Sequence, residues 1–216
     1  MNEVTEKFIE TLKNDENVSG VILFGSWARG NNRQDSDVDL VVILENGYQR
    51  THEKVGNQNF EIIYTTADSA LEYWKQKPDD AANLWEVAKI LFDRYGKVSE
   101  IKLSILNFLS TGKKLIDEKS KAQLRFSAED TLLSVKSLRV TNPATAMLVL
   151  EKTVLTLTEQ YFDLKQLWTP APKQRILKIK ELDPDFYSLL NNYYSESVKL
   201  ERKIELAGKI TTLVFA

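Results

Sequence analysis

The chain has 216 residues, a formal net charge of −2 and an isoelectric point near 5.7, which argues against a broad nucleic-acid footprint because such domains are basic. It contains no cysteine, which excludes disulfides and thiolate metal sites and fits a cytoplasmic protein. Hydrophobic residues make up 43% of the chain, enough for a core, yet no apolar run has the length of a membrane span, and the acidic start Met-Asn-Glu-Val is unlike a signal peptide.

Val4, Phe8, Ile9 and Leu12 recur at helical spacing and predict an amphipathic helix over residues 3–14. Val18 to Phe24 reads as a first strand. Gly25 to Gly30 reads as a turn opening a short helix, and Asp37 to Leu44 as a second strand. Its unbroken apolar tail after Asp39 marks a central strand covered on both faces. Residues 45–58, with Gly47 and Gly56, read as a turn-rich connection. Phe60 to Thr65 predicts a third strand and Ser69 to Lys75 a helix ended by Pro78. Ala82 to Val87 predicts a further helix and Ile90 to Phe92 a fourth strand.

Beyond about residue 100 the pattern is helical. Ser127 with Asp130 reads as a capping-box variant, and Asn142-Pro143 and Asp183-Pro184 as N-caps before a first-turn proline. These signals predict helices near 101–118, 127–140, 143–165, 172–181 and 184–207, with Trp168 to Pro172 as a stiff linker. The expected architecture is α+β. A domain over residues 1–98, with a mixed β-sheet and flanking helices, precedes a helical bundle over 99–216.

The chemistry concentrates at Gly25-Ser26-Trp27-Ala28-Arg29-Gly30 and at Ser36-Asp37-Val38-Asp39-Leu40. A period-two strand puts Asp37 and Asp39 on one face. Two adjacent carboxylates repel one another, and a divalent cation removes that cost. A Gly-Ser turn lets backbone N–H groups and a hydroxyl approach a phosphate closely. Together they read as a site for a metal-bound nucleoside triphosphate. The all-oxygen donor set points to Mg²⁺, which commonly shares its coordination with phosphates. A pair of ions about 3.5–4 Å apart is the arrangement that in-line nucleotidyl transfer uses.

Gly-Ser-x-Ala-Arg-Gly, a short polar spacer and Ser-Asp-x-Asp-Leu, over residues 21–44, resemble the signature of the nucleotidyltransferase superfamily that includes DNA polymerase beta. The look is nearest to the minimal and the aminoglycoside and lincosamide nucleotidyltransferases. The resemblance implies that Asp37, Asp39 and a third carboxylate, matched by Glu61, act as catalytic metal ligands. It implies that Gly25 and Ser26 bind the β- or γ-phosphate, and that Arg29 shapes the turn and favours the polyanion. ATP is the expected nucleotide.

Plainer roles compete. Ser26 could cap the following helix, Arg29 could form a surface ion pair or clamp backbone carbonyls, and Glu61 could pair with a lysine at a sheet edge. His52, the only histidine, reads as solvated, and Trp27 as a stacking platform, a core residue or a side chain simply displayed at the surface. Lys113, Lys114, Lys136, Arg139, Lys173 and Arg175 read mostly as solvated helix faces. Glu151 is a candidate acceptor-side carboxylate, with the wet face of an amphipathic helix as its alternative.

The expected function is transfer of a nucleoside monophosphate to a hydroxyl of a small acceptor, an aminoglycoside- or lincosamide-like molecule being one class, with release of pyrophosphate. Modification of a protein, or non-catalytic binding of nucleotide or a partner, are the alternatives. The acceptor is expected between the two halves, and no membrane or nucleic-acid partner is expected. Monomer and homodimer stay open.

Overall fold

The computed structural model describes residues 3–195 and 197–216. Helix α1 (Glu3–Asn14) lays Ile9 and Leu12 toward the sheet, as their spacing requires. Strand β1 (Val18–Phe24) leads into the short helix α2 (Gly25–Arg29), which ends at Gly30 with φ 77°. Strand β2 (Val38–Leu44), the hairpin β3 (Gln49–Val55) and β4 (Gln58–Thr66), helices α3 (Ala67–Gln76) and α4 (Pro78–Trp85), strand β5 (Lys89–Asp93) and helix α5 (Lys97–Leu109) follow.

The five strands form one mixed sheet in the order β3-β4-β2-β1-β5. Among the described residues only β2 and β4 run parallel; every other neighbouring pair is antiparallel. The connection between β2 and β4 carries β3, which hydrogen-bonds outside β4 as the edge strand. Val38, Leu40, Val42, Phe60 and Ile62 pack on one face with Leu12 and Ala28 of α1 and α2. Ile22, Val41 and Ile43 are buried too, so both faces of the central strands are covered, as the unbroken apolar run demands.

Residues 45–58 depart from the expected connection, because β3 lies within them. As an edge strand it buries no residue fully and sends only Val55 against the core, so it shows no apolar alternation for a sequence pattern to detect. Its legible signal is Gly56-Asn57, a two-residue hairpin loop between the paired residues Val55 and Gln58.

Contacts divide the chain into two compact units, Met1–Thr111 and Gly112–Ala216. The expected division lay at 98/99, but α5 packs on β1, β5 and α3 and belongs to the first unit.

The second unit comprises α6 (Glu118–Thr141), α7 (Pro143–Leu164), α8 (Pro172–Leu182), α9 (Pro184–Tyr193) and α10 (Leu200–Val214). The Asn142 and Asp183 side chains cap α7 and α9 ahead of their prolines, as read. Ser127 does not start a helix. Asp117 accepts from the Ser120 N–H at 2.7 Å and caps a helix that runs through 127 without a break. The expected helix over 184–207 is instead α9 and α10, separate elements. Pro78 opens α4 at its first turn, where the missing N–H costs nothing, besides ending the helix before it. Tyr161, Phe162, Phe186, Leu190 and Tyr193 are fully buried at the centre of this unit.

Candidate active site

The sheet register brings the site together. Phe24 at the end of β1 pairs with Asp39, and Asp39 pairs in parallel with Glu61. Paired residues project from the same face, so Asp39 and Glu61 leave one face of the sheet from adjacent strands. Glu61 pairs in turn with His52, so the lone histidine lies on β3, and its side chain is exposed.

Gly25 follows Phe24 directly and has φ 68°, a conformation that strains any side chain. A Cβ placed there would lie 1.8 Å from Asp39 Oδ2. The turn therefore presents bare backbone to the carboxylate. Ser26 is partly exposed, and its carbonyl accepts from the Gly30 and Asn31 N–H groups. No side chain caps α2, so Ser26 is not the cap of this helix. Arg29, in its last turn, is exposed.

Asp37 is exposed just before β2. The carbonyl before it, of Ser36, accepts from Trp27 Nε1 at 3.2 Å and from Gln58 Nε2 at 3.0 Å. Ser36 Oγ also accepts from the Arg33 N–H at 2.9 Å. Three donors from three segments thus fix the backbone that delivers the aspartates. This gives Trp27 a role distinct from stacking on a ligand, since its indole packs on the sheet core and holds the loop. Gln58, only 7% exposed, thus holds the Ser36 carbonyl although the sequence did not single it out; its place directly after the Gly56-Asn57 hairpin loop is the local signal it carries.

Glu61 is paired with Arg50 of β3, not with a lysine. The carboxylate beside it raises the Arg50 pKa, chiefly through the hydrogen bond and then through its charge. Sequence reading missed Arg50 because it missed β3.

The carboxylates supply hard oxygen donors, the set a Mg²⁺ ion takes, while the imidazole of His52 belongs to the residue paired with Glu61 on the side away from Asp39. Among the described residues no three acidic, histidine or cysteine side chains are already gathered into a metal-ligating group. In this arrangement Glu61 is held by Arg50 and Asp39 lies against Gly25. The donor chemistry fits a divalent cation, provided Glu61 exchanges partners.

A cavity of about 480 Å³ opens in the same unit, lined by residues including Leu44, Glu45, Thr66 and Lys97. Leu44 and Thr66 end β2 and β4, five residues along from Asp39 and Glu61, or roughly 16 Å at ~3.3 Å per residue. This cavity is therefore not the carboxylate site.

In the helical unit Glu151 pairs with Lys203 at 2.9 Å, and Lys203 Nζ lies 4.6 Å from the Tyr193 ring centroid. Glu151 is thus half-buried and paired, not on an open wet face. Lys113 and Arg175 likewise differ from solvated residues. Lys113 meets Asp163 at 2.5 Å and Arg175 meets Glu159 at 3.0 Å, with side chains only 11% and 12% exposed.

Residues 6–97 match the family described as polymerase beta, nucleotidyltransferase. Among solved structures, a nucleotidyltransferase-like protein from Exiguobacterium sibiricum is similar over 99% of this chain and 73% of its own, at 16% identity and a TM-score of 0.51. At that identity the likeness is one of fold. No curated protein matches the chain. The segment 6–97 is a nucleotidyltransferase domain of the polymerase beta superfamily, built on the mixed sheet that carries Asp39 and Glu61. The general chemistry of that domain is nucleotidyl transfer. No helix among the described residues is long and apolar enough to cross a membrane.

Proposed function

We propose that this protein moves a nucleoside monophosphate from a nucleoside triphosphate, ATP being the expected one, to a hydroxyl of a small acceptor. An acceptor oxygen forms a bond to the α-phosphorus, the bond from that phosphorus to the β-bridging oxygen breaks, and pyrophosphate leaves with its electron pair. The observation that carries the reading is the register of Asp39 with Glu61, set against a turn where Gly25 leaves no room for a side chain.

Asp37, Asp39 and Glu61 would hold Mg²⁺, which supplies charge neutralisation and alignment of the phosphates. Gly25 and Ser26 bind the β- or γ-phosphate, and Arg29 adds favourable charge. Glu61 is the candidate to take the acceptor proton. Gln58 and Trp27 hold Ser36 so that Asp37 and Asp39 are delivered in a fixed backbone frame. The cavity lined by Leu44 and Lys97 lies at the far end of β2 and β4 from the carboxylates, so the acceptor is not placed there on this reading.

The test is transfer of label from α-labelled nucleoside triphosphates to a panel of aminoglycosides, lincosamides and protein extracts, with and without Mg²⁺. A labelled small molecule supports the reading. A labelled protein replaces the small acceptor with a macromolecular one. Pyrophosphate release from none of the nucleotides refutes it.

A further inference from the structure

Helix α6 turns Ala128, Leu132 and Val135 into the core of the helical unit. Away from that core it carries Phe126, Leu133 and Val140, which are 69%, 61% and 78% exposed. These three are spaced by seven. Seven residues fall only about 20° short of two full turns, so the side chains form one stripe along the helix. A seam between two helices has apolar side chains at two positions in each seven; this stripe supplies one of them, with Glu129, Asp130, Lys136 and Ser137 at the intervening positions. On the neighbouring helix α7, Leu148 and Leu155 are exposed and again seven apart.

The charges beside the stripe say what would cover it. At about 100° per residue, Glu129 and Lys136 lie on one flank of the stripe and Asp130 lies on the other. Glu129 stands four residues before Leu133 and Lys136 three after it, so the flank changes sign about Leu133. Two antiparallel copies related by a two-fold axis at Leu133 bring equal flanks together. Lys136 of each then faces Glu129 of the other, Phe126 faces Val140, and Leu133 meets itself. A parallel pair in register brings opposite flanks together and sets Glu129 against Asp130 of the second copy, acid on acid. Glu129 is held within its own helix by Arg125 at 2.9 Å, an exposed and weakly held pair that can be shared or exchanged.

We propose that the outer face of α6 is a homodimer interface, antiparallel and centred on Leu133. The occupant is a second copy because the stripe is complementary in sign to itself only when reversed.

Sedimentation equilibrium on the full chain should give twice the monomer mass, falling to the monomer mass on dilution. Leu133→Glu should abolish the dimer and leave the circular dichroism of the helices unchanged. Glu129→Lys alone should weaken the dimer by tenfold or more, and Glu129→Lys with Lys136→Glu should restore it. The chain has no cysteine, so Leu133→Cys gives a single thiol on the axis. That variant should oxidise to a covalent dimer, whereas Phe126→Cys should cross-link only to Val140→Cys. A monomer at every concentration, or a dimer that survives Leu133→Glu, overturns the proposal. Failure of the charge swap to rescue, or self-linking of Phe126→Cys, overturns the antiparallel arrangement.

Discussion

Asp39 Oδ2 lies where the side chain of residue 25 would begin: a Cβ on Gly25 would come within 1.8 Å of it. Two segments distant in sequence are therefore tuned to each other at one atom. Gly25→Ala must displace the Asp39 carboxylate and also hold an alanine at φ 68°, which costs about 1–2 kcal/mol. The variant should melt at lower temperature and lose transfer by at least about tenfold, the rate equivalent of ~1.4 kcal/mol. Thermal melts and pyrophosphate release measure the two losses separately. Wild-type turnover would show that the carboxylate need not sit where it does.

Asp39→Asn keeps shape and removes charge. Nucleotide turnover should fall by about a hundredfold or more, equivalent to ~2.7 kcal/mol, with the fold retained. Asp37→Asn should behave alike. Activity of the unaltered protein should vanish in chelator and return with added Mg²⁺. Circular dichroism together with pyrophosphate release checks both variants. Full activity of either one, or of the protein in chelator, refutes the metal-dependent mechanism.

Glu61 and Arg50 separate a catalytic role from a structural one. The Arg50 side chain is more than half exposed, so the stability lost in Arg50→Ala should stay below about 1 kcal/mol. Glu61→Gln should lower kcat far more than it weakens nucleotide binding, the signature of an interaction made in the transition state. Equal losses in kcat and binding would reduce Glu61 to a binding group. Steady-state kinetics beside nucleotide titration distinguishes the outcomes.

Alkaline pH should open the helical unit. Burial, with the Asp183 carboxylate nearby, pushes the Tyr161 hydroxyl up from 10.0 to about 12. The folded state thus keeps a proton that the unfolded chain loses first. Its contribution to stability is complete below pH 10 and is lost as the pH rises through about 12. The melting temperature should fall across that window, and Tyr161→Phe should fall less steeply than the unaltered protein over the same range. A fall equally steep in both would remove Tyr161 as a cause.

The element pattern of the β2 strand was legible because its apolar run has one physical cause, burial on both faces. The caps at Asn142 and Asp183 were legible because they are local, each a side chain meeting an N–H three residues on. Ser127 misled for the same reason. A local cap signal inside an amphipathic helix loses to the hydrogen bonds and packing that continue it.

By itself the sequence determined the motif residues Gly25, Ser26, Asp37 and Asp39, the order of an α/β segment before a helical one, and the membership of residues 6–97 in their superfamily. These are properties of short stretches, where residue type and spacing carry the information. The tertiary structure alone decided that β3 pairs outside β4, that Arg50 therefore reaches Glu61, and that Gln58 joins Trp27 in holding Ser36. Each of these joins residues across strands or loops, and cross-strand register depends on pairing partners that no single segment encodes.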